Sequence, residues 1–194
     1  MASTAPAPAP APAPAEPAGT APALRRLYVV RFVFAVAWAA LLLLGGSELT
    51  LSVQLLLALY PAFDVAAAVV DARSARAAAP LKGLYANMAV SALAAIGVAV
   101  AGTSRVADVL RVWGAWAIIS GLVQLLVGLA RRSMGGQWAM ILSGGISVLA
   151  GASFLRGATQ DDPTLTALAG YATLGGIFFL VSAVRLSRSV PRER

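Results

Sequence analysis

The chain has 194 residues, 59% of them apolar, and a mean hydropathy of +0.81. Soluble globular domains contain a smaller apolar fraction, so this composition excludes a soluble domain and predicts an integral membrane protein. Cysteine and histidine are absent, which excludes disulfides, thiolate chemistry and histidine-dependent catalysis. The net charge of +7 does not predict nucleic-acid binding, because the arginines flank apolar segments and therefore fit membrane topology and lipid headgroups.

The two ends of the chain differ from the middle. Residues 1–23 alternate alanine with proline and carry no core-forming side chains, which favours an extended, disordered tail. We interpret this tail as a solvated spacer, with docking of a proline-binding partner as the alternative. Residues 188–194 are predicted to form a short basic tail. Residues 24–187 are then the predicted membrane domain.

Six apolar stretches of bilayer-spanning length follow in chain order. They cover approximately residues 27–44, 49–70, 84–101, 109–129, 137–155 and 165–186. Short polar connections separate them, and Asp71 is assigned to the second of these connections. The predicted fold class is an all-α integral membrane protein with six transmembrane helices.

The basic residues predict the orientation of these helices. Twelve of the 15 lie at the N-terminal flank, in the connections after spans 2 and 4, or at the C-terminal end. Only Arg105, Arg111 and Arg156 lie on the other side. Because short loops on the cytoplasmic side carry the excess of positive charge, we expect both termini in the cytoplasm.

A short motif, an aromatic residue followed by polar or small residues, occurs three times. Its copies begin at Tyr60, Trp116 and Tyr171, at intervals of 56 and 55 residues. A repeat of this length accommodates two membrane crossings and indicates a repeated structural unit. The sequence therefore predicts three similar helical hairpins, made of spans 1–2, 3–4 and 5–6.

Glycine spacing predicts where the helices approach one another. Lipid tails are as apolar as leucine, so membrane helices associate through close packing and polar contacts. Glycines seven residues apart share one helix face, where a second backbone can come close. The candidate packing residues are Gly114, Gly121, Gly128, Gly144, Gly151 and Gly176.

Three polar residues, Arg31, Asp64 and Asn87, lie inside the first three spans at similar depths from the same side. An unpaired carboxylate at that depth is costly, so Asp64 must face the bundle and find a partner. We expect these residues to form a structural clamp between the three helices. The alternative is a relay for protons or a substrate.

The remaining polar and aromatic residues have simpler interpretations. Gln54 and Gln124 are expected to form hydrogen bonds between helices. Trp113, Trp138 and Tyr85 lie near predicted span ends, where an aromatic belt would place them.

No catalytic constellation is recognisable in the sequence. It contains no histidine-dependent triad, no phosphate-binding loop and no acid pair within one predicted span. The adjacent Asp161 and Asp162 do not complete a cation site by themselves. We therefore expect no catalytic residue, no metal site and no cofactor.

The repeated motif resembles that of the HdeD-like family of bacterial inner-membrane proteins. The resemblance rests on Tyr60 to Asp64, Trp116 to Gly121 and Tyr171 to Gly176, and on the glycine spacing of span 5. It covers about residues 27–186, with Val65 where the family usually has glycine. It implies six helices in the cytoplasmic membrane and, for the family's namesake, a role in acid resistance. It implies no catalytic or binding residues.

We therefore expect a non-enzymatic, multi-pass protein of the bacterial cytoplasmic membrane that serves in acid or envelope stress protection. The alternative is a small-solute or proton-coupled transporter, which would need a polar cavity near the midplane. The expected partners are the lipid bilayer and either further copies of this chain or other membrane proteins. Nucleic acid is not an expected partner.

Overall fold

The computed structural model describes residues 20–46, 48–74, 82–130, 132 and 138–188. This part of the chain contains six α-helices and no strand. They are α1 (Thr20–Gly45), α2 (Leu51–Ser74), α3 (Lys82–Ala101), α4 (Val106–Ala130), α5 (Trp138–Gly157) and α6 (Thr166–Arg188). All six are long and apolar enough to cross a membrane. The predicted fold class, an all-α integral membrane protein with six transmembrane helices, is confirmed.

Helices α1 and α2 extend furthest beyond the predicted spans. Helix α1 begins at Thr20, inside the segment predicted as a tail. Pro22 lies in its first turn, where proline is tolerated because backbone N–H groups there have no acceptor within the helix. Helix α2 continues to Ser74, so Asp71 belongs to its last turns rather than to a connection. Residues 1–19 of the predicted tail and residues 189–194 of the basic tail lie outside the described residues.

The six helices form a closed ring. Each helix packs on its neighbours in sequence, and α1 packs on α6. The closest pairs are α4 with α5, α1 with α6, and α2 with α3. Each of these pairs joins the second helix of one predicted hairpin to the first helix of the next, whereas the helices within a hairpin contact each other less. The same order of contacts is thus repeated three times around the ring.

The even number of helices places both ends of the described chain on one side of the bundle. We call this the termini side and the opposite side the far side. Helices α1, α3 and α5 begin at the termini side, and α2, α4 and α6 end there. Neighbouring helices are therefore antiparallel throughout the ring.

The predicted packing glycines lie at contacts between helices. A Cβ atom placed on Gly121 would lie 2.7 Å from the carbonyl oxygen of Gly144, and one on Gly114 would lie 2.9 Å from that of Gly151. These distances leave no room for a side chain, so the two backbones of α4 and α5 touch directly. Gly128 meets Ile141 of α5 in the same seam.

The seam between α6 and α1 is closed less tightly. A Cβ atom on Gly176 would lie 3.2 Å from the Cβ atom of Ala35. The neighbouring α6 residues on this face, Ala169 and Ala183, are also small and buried. Small residues thus bring α6 onto α1, as the glycine spacing predicts.

Candidate functional site

The centre of the candidate site is Asp64, on α2. Its Oδ1 atom pairs with the Arg31 guanidinium of α1. Its Oδ2 atom accepts hydrogen bonds from Asn87 Nδ2 at 3.0 Å and from Ser91 Oγ at 2.8 Å, both on α3. The Arg31 and Asp64 side chains are only 13% and 21% exposed. The structure thus brings together the three predicted polar residues and adds Ser91 to them.

The cluster also contacts α6. The Arg31 guanidinium carbon lies 4.6 Å from the centre of the Phe179 ring, a cation–π contact. Phe179 in turn stacks on Tyr28 of α1, with ring centroids 6.1 Å apart. One charged pair therefore links α1 and α2 to both of the helices that flank them in the ring.

Ser91 connects the carboxylate to α4. The Ser91 side chain is completely buried; its hydroxyl donates to Asp64 and accepts a hydrogen bond of 3.1 Å from Trp116 Nε1. Polar roles for Ser91 and Trp116 were not predicted from the sequence. The available signal was spacing, because Ser91 lies one helical turn from Asn87 on the same face and Trp116 begins a repeat copy.

An aromatic cluster fills the ring on the far side of Asp64. The Tyr60 ring centroid lies 4.7 Å from that of Trp38, 5.5 Å from that of Trp113 and 6.1 Å from that of Trp116. Trp113 and Trp116 meet edge to face at 5.0 Å. These rings come from α1, α2 and α4, so they occupy the interior shared by three helices.

The prediction that Trp113 belongs to an aromatic belt is wrong, because its exposed fraction is 0%. Helix α4 begins at Val106, which places Trp113 two turns inside the helix rather than at its end. Tyr85 and Trp138 are 53% and 52% exposed near the ends of their helices, where a belt would place them.

The two glutamines do not link helices as predicted. Gln54 Nε2 donates to the carbonyl oxygen of Leu49, just before its own helix begins, at 2.7 Å. Its position in the first turn of α2 brings unpaired backbone groups within reach of the side chain. Gln124 packs its Cβ atom near Gly144, and no hydrogen bond from it is present among the described residues.

The far side carries a separate, exposed charge cluster. Asp108 pairs with Arg105 at 3.3 Å and with Arg111 at 2.6 Å. Among the described residues, no group of three acidic, histidine or cysteine side chains is placed to bind a metal. Asp71 lies seven residues from Asp64, two helical turns closer to the termini side. Asp71 is thus a second acid within this apolar helix, whereas the sequence predicted that it would lie in the connection after the helix.

The chemistry of this site is that of a closed clamp. Asp64 already accepts hydrogen bonds from three side chains, and its charge is balanced by Arg31. A carboxylate held in this way stabilises the bundle by pairing polar groups that lipid cannot solvate.

Comparisons with protein-family models, with curated proteins and with solved structures found no match to this chain.

Proposed function

We propose that this protein is a non-enzymatic, HdeD-like component of the bacterial cytoplasmic membrane that supports survival under acid or envelope stress. The observation that carries the proposal is the fully paired carboxylate of Asp64 with the aromatic rings packed beside it. Asp64 is satisfied by Arg31, Asn87 and Ser91, and aromatic rings fill the space beyond it. Such an interior favours a protein that acts as a stable membrane element.

We place both termini in the cytoplasm. Among the described residues, Arg25, Arg26 and Arg73 belong to the termini side, as do Arg132, Arg185 and Arg188. The far side has Arg105, Arg111 and Arg156 together with four acidic residues, Glu48, Asp108, Asp161 and Asp162. The positive-inside rule then assigns the termini side to the cytoplasm.

Transport receives less support from this geometry. The rings of Tyr60, Trp113 and Trp116, whose centroids are 5.0–6.1 Å apart, obstruct the path from Asp64 toward the far side along α2 and α4. Transporters usually bind their substrates between broken helices near the midplane. All six helices here are continuous within the described residues.

A survival experiment tests the proposal. We expect a deletion strain to lose survival after mild acid challenge, and we expect the wild-type gene to restore it. Gly145→Ala should also restore survival, because no described residue lies within 4 Å of the added Cβ atom. Gly144→Ala should fail to do so, because its Cβ atom would lie 2.7 Å from the Gly121 carbonyl oxygen.

Unchanged survival of the deletion strain would contradict the stress role. Solute or proton flux through vesicles that contain the purified protein would contradict the non-transport part. Each result addresses a different part of the proposal.

A further inference from the structure

The interior of the ring has two layers that repeat in all three hairpins. Trp116 of α4 bonds to Ser91 of α3, and at the matching positions Tyr171 of α6 lies 3.0 Å from Ser147 of α5, hydroxyl to hydroxyl. In the first hairpin these positions hold Tyr60 and Ala35. We call this level, occupied by Tyr60, Trp116 and Tyr171 with their partners, the aromatic layer.

The second level lies one helical turn closer to the termini side, and we call it the polar layer. On the even-numbered helices, its residues come four positions after Tyr60, Trp116 and Tyr171. On the antiparallel odd-numbered helices, they come four positions before the partners of those aromatic residues. The three pairs are Asp64 with Arg31, Ser120 with Asn87, and Gly175 with Ser143. Only the first pair is joined directly. The Ser120 hydroxyl is buried without a partner among the described residues.

The third pair leaves an open space. Gly175 has no side chain, and among the described residues a Cβ atom built on it would have only the Tyr60 hydroxyl oxygen within 4 Å, at 3.9 Å. Tyr60 reaches this point from α2, so the space lies inside the ring and not on the lipid face. Helices α5 and α6, which border it, are the least closely packed neighbours in the ring.

The Tyr60 hydroxyl borders this space, and the register of the polar layer assigns Ser143 to the position opposite Gly175. The hydroxyl groups of Tyr60 and Ser143 make no hydrogen bond within the described part of the chain. The hydroxyl groups of Tyr171 and Ser147 bond to each other, and each keeps further hydrogen-bonding capacity. A hydroxyl left unpaired in an apolar interior is destabilising, since neither lipid nor protein replaces its bond to water.

We propose that the space beside Gly175 is an internal water site, in which ordered water bridges the hydroxyl groups of Tyr60 and Ser143. Buried waters in proteins typically make about three hydrogen bonds to otherwise unpaired polar groups. The hydroxyl pair of Tyr171 and Ser147, one turn away, supplies the third partner. The water takes the place that the Asp64 and Ser120 side chains occupy in the other two hairpins.

Thermal unfolding of the purified full chain tests this site with two glycines of the same helix. Gly170→Ala is the control, because its Cβ atom has no neighbour within 4 Å among the described residues. The general gain from replacing a helical glycine should then raise Tm by about 1–4 °C. Gly175→Ala should raise Tm less, or lower it, because the methyl group displaces the water and leaves two hydroxyl groups unpaired. Gly175→Ser should recover the difference, since its hydroxyl group replaces the water.

The opposite order would overturn the site. If Gly175→Ala stabilises the protein as much as Gly170→Ala, and Gly175→Ser is the weaker variant, the space is dry. These measurements use the purified protein and do not depend on any stress phenotype.

Hydroxyl-radical footprinting by synchrotron radiolysis gives a second measurement, because radicals form from water and modify side chains beside it. Tyr60 should be modified in the wild-type protein and protected in Gly175→Ala. Trp38 is the internal control, since it is 1% exposed and its N–H already bonds to the Leu56 carbonyl oxygen at 2.6 Å. Equal protection of Tyr60 and Trp38 in the wild-type protein would contradict the proposal.

Discussion

At the scale of single residues, the Asp64 carboxylate has the greatest influence on its neighbours. It joins α1, α2 and α3 directly and reaches α4 through the Ser91 hydroxyl. Removing one partner of such a pair costs more than the pair itself contributes, because the other charge is left unpaired away from water. The cluster should therefore respond strongly to changes that alter charge but not shape.

Asp64→Asn should lower the free energy of unfolding by about 3 kcal/mol, because it leaves the Arg31 cation without its counter-ion. Adding Arg31→Gln to the same chain should recover part of this loss, since the cation that lost its partner at position 64 is then removed as well. Asp108→Asn is the matched control: it also removes a carboxylate paired with arginine, but its partners Arg105 and Arg111 are 75% and 50% exposed, so the loss should be at most about 1 kcal/mol. Detergent unfolding of the wild type, of each single variant (Asp64→Asn and Arg31→Gln) and of the double variant measures the coupling. Strictly additive losses in the double variant would show that Asp64 and Arg31 do not interact.

At the scale of helices, packing depends on which face of a helix a glycine occupies. Gly144 and Gly145 are adjacent in α5, but only Gly144 points into the seam with α4. A helical rotation of about 100° per residue separates the two positions, so one methyl group meets a backbone and the other meets open space. This contrast makes the pair a direct measure of the contact between α4 and α5.

Gly144→Ala should destabilise the bundle by about 1–3 kcal/mol, because its Cβ atom would lie 2.7 Å from the Gly121 carbonyl oxygen and the helices must separate. Gly145→Ala should be neutral or stabilising by up to about 1 kcal/mol, as expected for an alanine replacing a helical glycine. Thermal unfolding of both variants in one detergent provides the comparison. Similar melting temperatures would mean that the seam tolerates a wider separation.

At the scale of the whole molecule, ring closure distinguishes this bundle from three separate hairpins. The contact of α1 with α6 completes the ring, and the closest packing lies between hairpins rather than within them. Each hairpin therefore contributes only half of each main interface. An isolated hairpin should consequently have a free energy of unfolding well below one third of that of the whole bundle.

The orientation of the whole molecule can be measured with reporter fusions. Fusions after Gly46, Arg105 and Asp162 should all report the outside of the cell, because these residues lie in the three far-side connections. A fusion after Ser74 should report the cytoplasm and serves as the control. A cytoplasmic signal from any far-side fusion would contradict the topology that the arginines predict.

Several properties were predictable from the sequence because they depend on distance along the chain. The length of an apolar stretch determines whether it spans a bilayer, and a 55- or 56-residue interval indicates a repeated hairpin. The depth of the charged residues was also predictable. Asp64 and Arg31 lie at similar distances from the ends of their helices on the same side of the membrane, and a carboxylate at that depth requires a partner.

Other properties were decided only by the tertiary structure, because they depend on helix rotation and on which helices become neighbours. Glycine spacing predicted a packing face on α4 but not that α5, rather than its hairpin partner α3, would cover it. Trp113 was misassigned because α4 begins earlier than its apolar run suggests. The hydrogen bonds of Ser91 required α2, α3 and α4 to meet around one buried hydroxyl, a geometry that no spacing along a single helix specifies.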